Sequence, residues 1–306
     1  MTDTDGVDLC GIAVNWHLET HVEELIRAWP KDARFELIVV DNSSSLSTAS
    51  EDVRVLRPSR NLGFAGALNL GCRRTVAPLV VTLNPDACPE ASALEELVAG
   101  FEKWPDAVGL APRLVGPDGR PQTAWQLRSL PSPWTLILQA FFIPAGSGSD
   151  AEPAPGTTIE QPAAAALAMR RQTLVDIGGF DEDFYPAWFE DVDLAARLNL
   201  QGAKIRYCPS AVFTHHLGAS VSQLGYERFL WSYYENLCRY LEKHHGRGWS
   251  LAVRAVLCFS APTRLLLIPL RKPSRAASRS AAARGLIGLV RGAMTNWRTL
   301  TTDSND

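Results

Sequence analysis

The segment FEDVDL, residues 189–194, puts Glu190, Asp191 and Asp193 within four positions. Like charges held this close raise the proton affinity of at least one member. The cluster therefore suits a base that takes a proton from a substrate, or a set of oxygen ligands for a cation. Its plainer reading is the start of a helix, where acids are stabilised by unpaired backbone N–H groups. The two readings are compatible, with Asp193 the member best explained by capping. Two more acids follow apolar runs: Asp41 after FELIVV and Asp86 in LNPDA, just after PLVVT. A single Asp in such a place is more often a turn or helix cap than a ligand. Several on one rim of a sheet are a different matter. Mg²⁺ or Mn²⁺ keeps several waters and takes one or two carboxylates, with substrate phosphates completing its shell. Asp86 alone is then a sufficient foothold for a metal.

These acids need elements that bring them together. VDLCGIAVN (7–15), FELIVVD (35–41), VRVL (53–56), PLVVTLN (78–84), AVGLAPRLV (107–115) and AKIRYC (203–208) read as strands. Between or after them, 18–29, 63–74, 90–103, 191–201 and 226–245 carry apolar residues at helical spacing. The alternation predicts an α/β fold with a mostly parallel central sheet covered by helices on both faces. In such sheets ligands bind beyond the carboxyl ends of the strands, and that is where Asp41 and Asp86 fall. The stretch 129–162, rich in Pro, Gly and Ser around WTLILQAFFIP, reads as a long, partly mobile insertion. AAAALAMRR (163–171) returns to the core.

Charge is divided unevenly along the 306 residues. Arg247 to Arg298 holds ten basic residues and no acid, so an acidic body carries a basic C-terminal tail within a net charge of only −3. Six scattered cysteines without a CxxC pair suggest a reducing compartment and no structural zinc. The start, MTDTDGVD, lacks the basic and apolar regions of a signal peptide, so the expected location is cytoplasmic.

VVDNSSS (39–45), NLGFAGALNLG (61–71), LNPDA (83–87), GGFDEDF (178–184), FEDVDLAARL (189–198) and HHLGAS (215–220) occur in this order. Together they resemble the inverting family 2 glycosyltransferases of GT-A fold, in particular the rhamnosyltransferase-like members. The resemblance runs from about residue 8 to 245. It implies a site for a nucleotide-diphosphate sugar built by Asn15, Asp41, Asn42, Ser43, Asn61, Gly63, Phe64, Asn84 and Asp86. Asp41 and the nearby serines would meet the base and ribose, and Asn61 with the turn 63–66 would wall the pocket. Asn84-Pro85-Asp86 stands where the family carries its Asp-x-Asp motif, with Asp86 as ligand to Mg²⁺ or Mn²⁺ and His215 as a further metal or phosphate contact. Asp191 would be the catalytic base, with Glu190 beside it.

The chemistry agrees with that assignment. Inverting transfer needs one positioned base and one electrophilic clamp on the leaving group, whereas a glycosidase places two carboxyl groups about the bond. Plainer readings stand beside each residue. NLGFAGALNLG is also what a closely packed helix would show, His215 and His216 can simply end a strand, and Trp125 and Trp188 are sugar platforms or core. NLGFAGALNLG does not fit G-x-G-x-x-G, which counts against a dinucleotide dehydrogenase. AAAALAM departs from the family's acceptor-side segment and leaves the acceptor open.

The resulting expectation is a metal-dependent inverting transferase that moves rhamnose from dTDP-rhamnose to a glycan or polyprenyl-linked acceptor of the cell envelope. A nucleotidyltransferase, or a catalytically silent sugar-nucleotide-binding module of the same fold, are the competing readings. The expected division is a catalytic domain over 1–246 and a basic amphipathic extension over 247–306. Neither LAVRAVLCF nor RLLLIPL reaches the roughly 20 apolar residues of a spanning helix, and Arg254, Pro262 and Arg264 interrupt them. The extension is therefore expected to lie on an anionic membrane surface, burying Leu251, Val256, Leu257 and Leu265–Ile268, or to pack as a helical hairpin. Its aliphatic content argues against nucleic acid.

Overall fold

Strand β1 (Leu9–Asn15) is buried along its whole length, and so is β4 (Leu79–Leu83). Period-two alternation divides their side chains between two cores. Leu9 and Ala13 of β1, Leu37 and Val39 of β2 (Phe35–Asp41), and Val81 and Leu83 of β4 enter one cluster with Val22, Leu25, Leu94 and Leu97. Cys10, Ile12, Val14, Ile38, Val40 and Val80 enter the other with Leu68, Leu174, Leu194 and Leu198. In this computed structural model, which describes residues 6–47, 53–143, 148–216, 224–270, 273 and 275–297, helices α1 (Glu19–Ala28) and α3 (Ala93–Lys103) supply the first cluster's outer layer. Helices α2 (Gly63–Arg74), α6 (Arg171–Asp176) and α7 (Glu190–Leu200) supply the second's. At Gly71 an added Cβ would collide with the Ile12 side chain, so α2 approaches β1 through a residue without one.

The remaining strands are β3 (Arg54–Leu56), β5 (Ala87–Pro89), β6 (Ala107–Val115), β7 (Leu127–Arg128), β8 (Gln161–Pro162), β9 (Ala166–Arg170) and β10 (Lys204–His215). The eight-stranded sheet runs β3-β2-β1-β4-β9-β6-β10-β5, and β7 with β8 forms a separate pair. β3, β2, β1 and β4 are mutually parallel, as are β6 and β10, while β9 runs antiparallel between the two sets and β5 pairs antiparallel at the edge. The expected mostly parallel α/β sheet is present. β10 is twice the length expected from AKIRYC. Pro209 reads as a strand end, but a register shift between Cys208 and Val212 absorbs it and pairing resumes through His215. A short helix, α4 (Thr123–Gln126), precedes the stretch expected as a long insertion, and α5 (Pro133–Ala140) lies within it. Further on it is tied to β10 by Gly156 N–H to Tyr207 O and Ile159 N–H to Ile205 O.

The chain divides into two compact units: Met1–Leu130 with Ser147–Asp183 and Glu190–Ala219, and Pro131–Gly146 with Phe184–Phe189 and Ser220–Asp306. The first holds the sheet. The second is helical, with α8 (Tyr226–His244), α9 (Arg247–Leu267) and α10 (Arg279–Thr295) packing pairwise and α5 against α9. Pro262 does not break α9. Among the described residues α9 alone is long and apolar enough to cross a membrane by length and composition, which corrects the expectation of interrupted runs.

Within the first unit, α7 is anchored by an ion pair. Asp193 is fully buried, and Arg197, one turn on, reaches its Oδ2 at 2.8 Å. The same guanidinium donates to the carbonyls of Ile177 (2.9 Å) and Gly179 (2.8 Å). Asp193 thus ties the first turn of α7 to the Gly178-Gly179 turn, a larger role than capping. Arg197→Met takes the positive charge away from a buried carboxylate, and we expect it to lower unfolding free energy by about 3–5 kcal/mol. Urea denaturation checks this, and a loss below about 1 kcal/mol would remove the anchoring role.

Candidate active site

Parallel register brings the first group of residues together. The last pair of the β1–β2 ladder is Asn15 with Asp41, and both side chains are buried. Asn15 Nδ2 donates to Asp41 Oδ1 at 2.9 Å, and the Ser43 hydroxyl donates to the same oxygen at 3.0 Å. Leu46 N–H donates to Oδ2 at 3.0 Å. Burial pushes the Asp41 carboxyl pKa up, but these donors outweigh it and hold the group below the ordinary value. Asp41 therefore shapes the loop 42–46 and fixes Ser43 above the strand end. Asn42 reaches α2, donating to Gly63 O at 3.0 Å and accepting from Leu62 N–H at 3.2 Å. Asn61 Oδ1 accepts from Gly63 N–H at 2.8 Å. Gly63 has φ +70°, a conformation that favours glycine. Phe64 is half-buried on the second core cluster.

The second group lies where β4 ends and β10 returns. Antiparallel register pairs His215 with Ala87, next to Asp86. His215 and Asp86 are both buried, with His215 Nε2 3.6 Å from Asp86 Oδ1. Gln122 grips the histidine twice. Its Nε2 donates to His215 O at 2.8 Å, which orients the carboxamide so that its Oε1, 2.8 Å from His215 Nδ1, accepts the ring proton. Burial, with help from His216, lowers the His215 pKa to about 4, so the ring is neutral near pH 7. A neutral imidazole protonated on Nδ1 keeps a lone pair on Nε2. That lone pair faces Asp86 and receives Asn84 Nδ2 at 3.4 Å. A carboxylate and an imidazole lone pair facing each other inside the protein suit a cation between them, and a carbonyl on the far ring nitrogen is the usual orienting partner of a metal-binding histidine. Among the described residues no group of three or more His, Cys, Asp or Glu is placed to hold a metal. The pair accordingly fits an ion that takes part of its shell from elsewhere. Trp125 stacks on His215, with ring centroids 5.1 Å apart, and remains partly exposed. The remainder of HHLGAS, residues 217–220, lies outside the described residues.

The third group opens α7. Asp191 Oδ2 accepts from Gln161 Nε2 at 3.3 Å and lies 3.6 Å from the Arg128 guanidinium, while Oδ1 accepts from Val192 N–H. Glu190 behaves differently. It is buried, its Oε2 has no hydrogen-bond partner among the described residues, and burial together with the adjacent Asp191 charge raises its pKa well above the ordinary value. Burial and the neighbouring charge thus both favour the protonated form of Glu190 within the FEDVDL cluster. The groups are linked through the backbone. Asn84 N–H donates to Ala165 O at 2.8 Å, close after Gln161, and the single segment 122–128 supplies both Gln122 and Arg128. The motifs quoted from the sequence contain none of Gln122, Arg128 or Gln161. Only the β7–β8 pairing and the fold of α4 carry them to the site.

Residues 18–159 form a domain of the family described as Glycosyl transferase family 2. The chain is 27% identical over 289 residues to the N-acetylglucosaminyl-diphospho-decaprenol L-rhamnosyltransferase of Mycobacterium tuberculosis, an alignment covering 84% of this chain and 90% of that protein. It is 30% identical to the pre-mycofactocin glycosyltransferase of the same organism, over 58% of this chain and 37% of that one. A mannosyltransferase from Pyrobaculum calidifontis, solved in complex with GDP-Man and Mn²⁺, superposes with a TM-score of 0.52 at 17% identity, over 95% of this chain and 88% of that one. The fold is GT-A, residues 18–159 match the Glycosyl transferase family 2 domain, and the chain is similar over most of its length to a mycobacterial rhamnosyltransferase.

The depressed pKa of His215 has a measurable consequence. An unfolded histidine titrates near 6.5, so between about pH 6.5 and 4 the unfolded chain binds the proton that the folded chain refuses. Stability from this group is complete above pH 6.5 and falls as pH drops toward 4. The His215 ring resonance in an NMR titration should still be that of a neutral imidazole at pH 5.5. A midpoint near 6.5 would contradict the buried Nδ1–H form.

Proposed function

We propose that this protein is an inverting glycosyltransferase that moves rhamnose from dTDP-rhamnose to a hydroxyl of a polyprenyl-linked or glycan acceptor in cell-envelope assembly, working at the cytoplasmic face of the membrane. The observation that carries the reading is the separation of two chemistries along the strand ends of one unit. Asp86 and His215 present paired donors for a cation, and Asp191 presents a carboxylate held by a different pair, Arg128 and Gln161. A single-displacement transfer needs these two devices. The rhamnosyltransferase relative, similar over most of both chains, supports the donor sugar and the lipid-linked acceptor.

On this reading, Asp191 takes the proton of the acceptor hydroxyl as its oxygen attacks the anomeric carbon. The bond from that carbon to the donor diphosphate breaks, its electron pair leaves with the nucleoside diphosphate, and the configuration inverts. Gln161 and Arg128 keep Asp191 Oδ2 in place, and the raised pKa of Glu190 favours a neutral neighbour beside the base. Asn15, Asp41, Asn42 and Ser43 brace the loop on which the nucleoside rests, and Asn61, Gly63 and Phe64 form the neighbouring wall. Mn²⁺ or Mg²⁺ held by Asp86 and His215 would act as a Lewis acid toward the charge on the diphosphate.

Asp191→Asn is expected to lower kcat about 10²–10⁴-fold, the usual worth of a general base, while leaving donor affinity within about threefold. Turnover and calorimetric donor binding on one preparation test this. Near-normal turnover would sink the assignment, whereas lost donor binding would move Asp191 to the nucleotide. Asp86→Ala should weaken nucleotide-diphosphate binding when Mn²⁺ is present and leave it unchanged under chelation. Equal weakening in both conditions would count against the metal role.

A further inference from the structure

Helix α9 is apolar on both faces, burying Val253, Leu257 and Ala261 while leaving a second apolar row outside. Its buried positions include Ser250 and Ser260, whose hydroxyls donate to Glu242 Oε1 at 2.9 Å and Ala140 O at 2.7 Å. Its outward positions are Leu251, Ala255, Phe259, Pro262, Leu266 and, just past its end, Leu270, spaced three or four residues apart and therefore on one face. Phe259 is 75% exposed, Leu266 79% and Leu270 83%. A helix that contributes only to a protein interior would show the opposite distribution. The stripe runs about 25 Å at 1.5 Å per residue. It corrects the face expected from the sequence, since Leu257 and Ile268 are packed inside. Helix α5, joined to α9 through Ser260 and through Trp134 edge-on to Trp249, adds an exposed row of its own in Trp134, Leu138 and Phe141.

The charge around this stripe selects its occupant. Between Arg247 and Arg298 there is no acidic residue. Arg254 and Arg264 are spent on Ala293 O and Phe142 O, and exposed Arg284 and Arg275 lie against Glu227 (3.7 Å) and the Phe229 ring, while Arg247, Arg279 and Arg291 are exposed. On α10 the outward residues Arg284, Ile287, Arg291 and Met294 mix cations with apolar groups. A second copy of this surface would set one set of arginines against another, which like-charge repulsion opposes. A bilayer of anionic phospholipid meets both requirements, with acyl chains for the stripe and headgroup phosphates for the arginines.

We propose that the outward face of α9, flanked by α5 and the arginines of α10, is a monotopic docking surface for anionic phospholipid membrane. α9 lies in the interfacial plane and does not cross it, because its other face is committed to α8, α10 and α5. The inference stands on this helical unit and is independent of the transfer chemistry above.

The test uses the full chain with sonicated vesicles of phosphatidylcholine, with or without 30% phosphatidylglycerol (about one anionic lipid in three), and no nucleotide or acceptor. Co-sedimentation should be at least tenfold stronger on the anionic vesicles and should weaken in high salt. The triple variant Phe259→Ser, Leu266→Ser, Leu270→Ser should lose most of it, while Leu200→Ser, an equally exposed leucine on α7, should not. Should the triple variant misfold, hydrogen exchange on the unaltered chain decides, with vesicle-induced protection expected over 251–270. Binding that ignores the anionic fraction, protection elsewhere, or a dimer in light scattering that excludes vesicles would each overturn the proposal. Retention in the membrane through alkaline carbonate would overturn the interfacial placement in favour of crossing. Sugar transfer is not read in this experiment, so failure of the surface and failure of the enzymatic reading are separable.

Discussion

Parallel pairing of β1, β2 and β4 obliges the three strands to end on one edge of the sheet. Everything chemical in the first unit follows from that edge. Asn15 and Asp41 are register partners on it, and Asn84 to Asp86 leave β4 there. β9 runs antiparallel against β4, so its beginning, not its end, lies at the same edge. That reversal is how the β7–β8 pair, with Arg128 and Gln161, comes to stand beside the strand ends. β10 arrives from the opposite side and delivers His215 through its pairing with β5.

An edge crowded with buried acids is electrostatically costly, and each acid here meets the cost differently. Asp41 is surrounded by neutral donors that outweigh its desolvation. Asp193 has a guanidinium at 2.8 Å. Glu190, buried beside Asp191, has its pKa raised, which favours its neutral form. Asp86 faces an imidazole whose own proton is held on the far nitrogen by Gln122. The first three solutions are closed within the protein, and the fourth presents two donors to whatever cation arrives. Trp188 and Phe189, immediately before α7 in the chain, both have positive φ, an uncommon state for aromatic residues. Such strain, about 1–3 kcal/mol each, is maintained where the surroundings over-determine the backbone.

The helical unit obeys a different constraint. Its three long helices bury one another through small and polar positions as well as aliphatic ones, and Asn236 donates to the carbonyls of Tyr185 and Ala187 to seat the segment before α7. That leaves aliphatic and aromatic side chains outside. For a catalytic domain whose proposed acceptor carries a lipid, an apolar, basic surface on the same chain answers the need for a soluble donor and a membrane-bound acceptor to meet.

The amino-acid sequence by itself determined the α/β class, strands β1 to β4, β6 and the first half of β10, helices α1, α2, α3 and α7, and the candidates Asp41, Asp86, Asp191 and His215. It could do so because two-residue and 3.6-residue periodicities are local, and because strand ends in a parallel sheet are where ligands bind. The β5 edge strand, the β7–β8 pair, the continuation of β10 past Pro209, the raised pKa of Glu190 and the tautomer of His215 were decided only in three dimensions. Each depends on partners distant along the chain: Gln122 lies 93 residues from His215, and Gln161 lies 30 from Asp191. The outward face of α9 belongs to the same class. Composition shows that the tail is apolar and basic, but which side of a helix remains exposed is set by what packs against the other side.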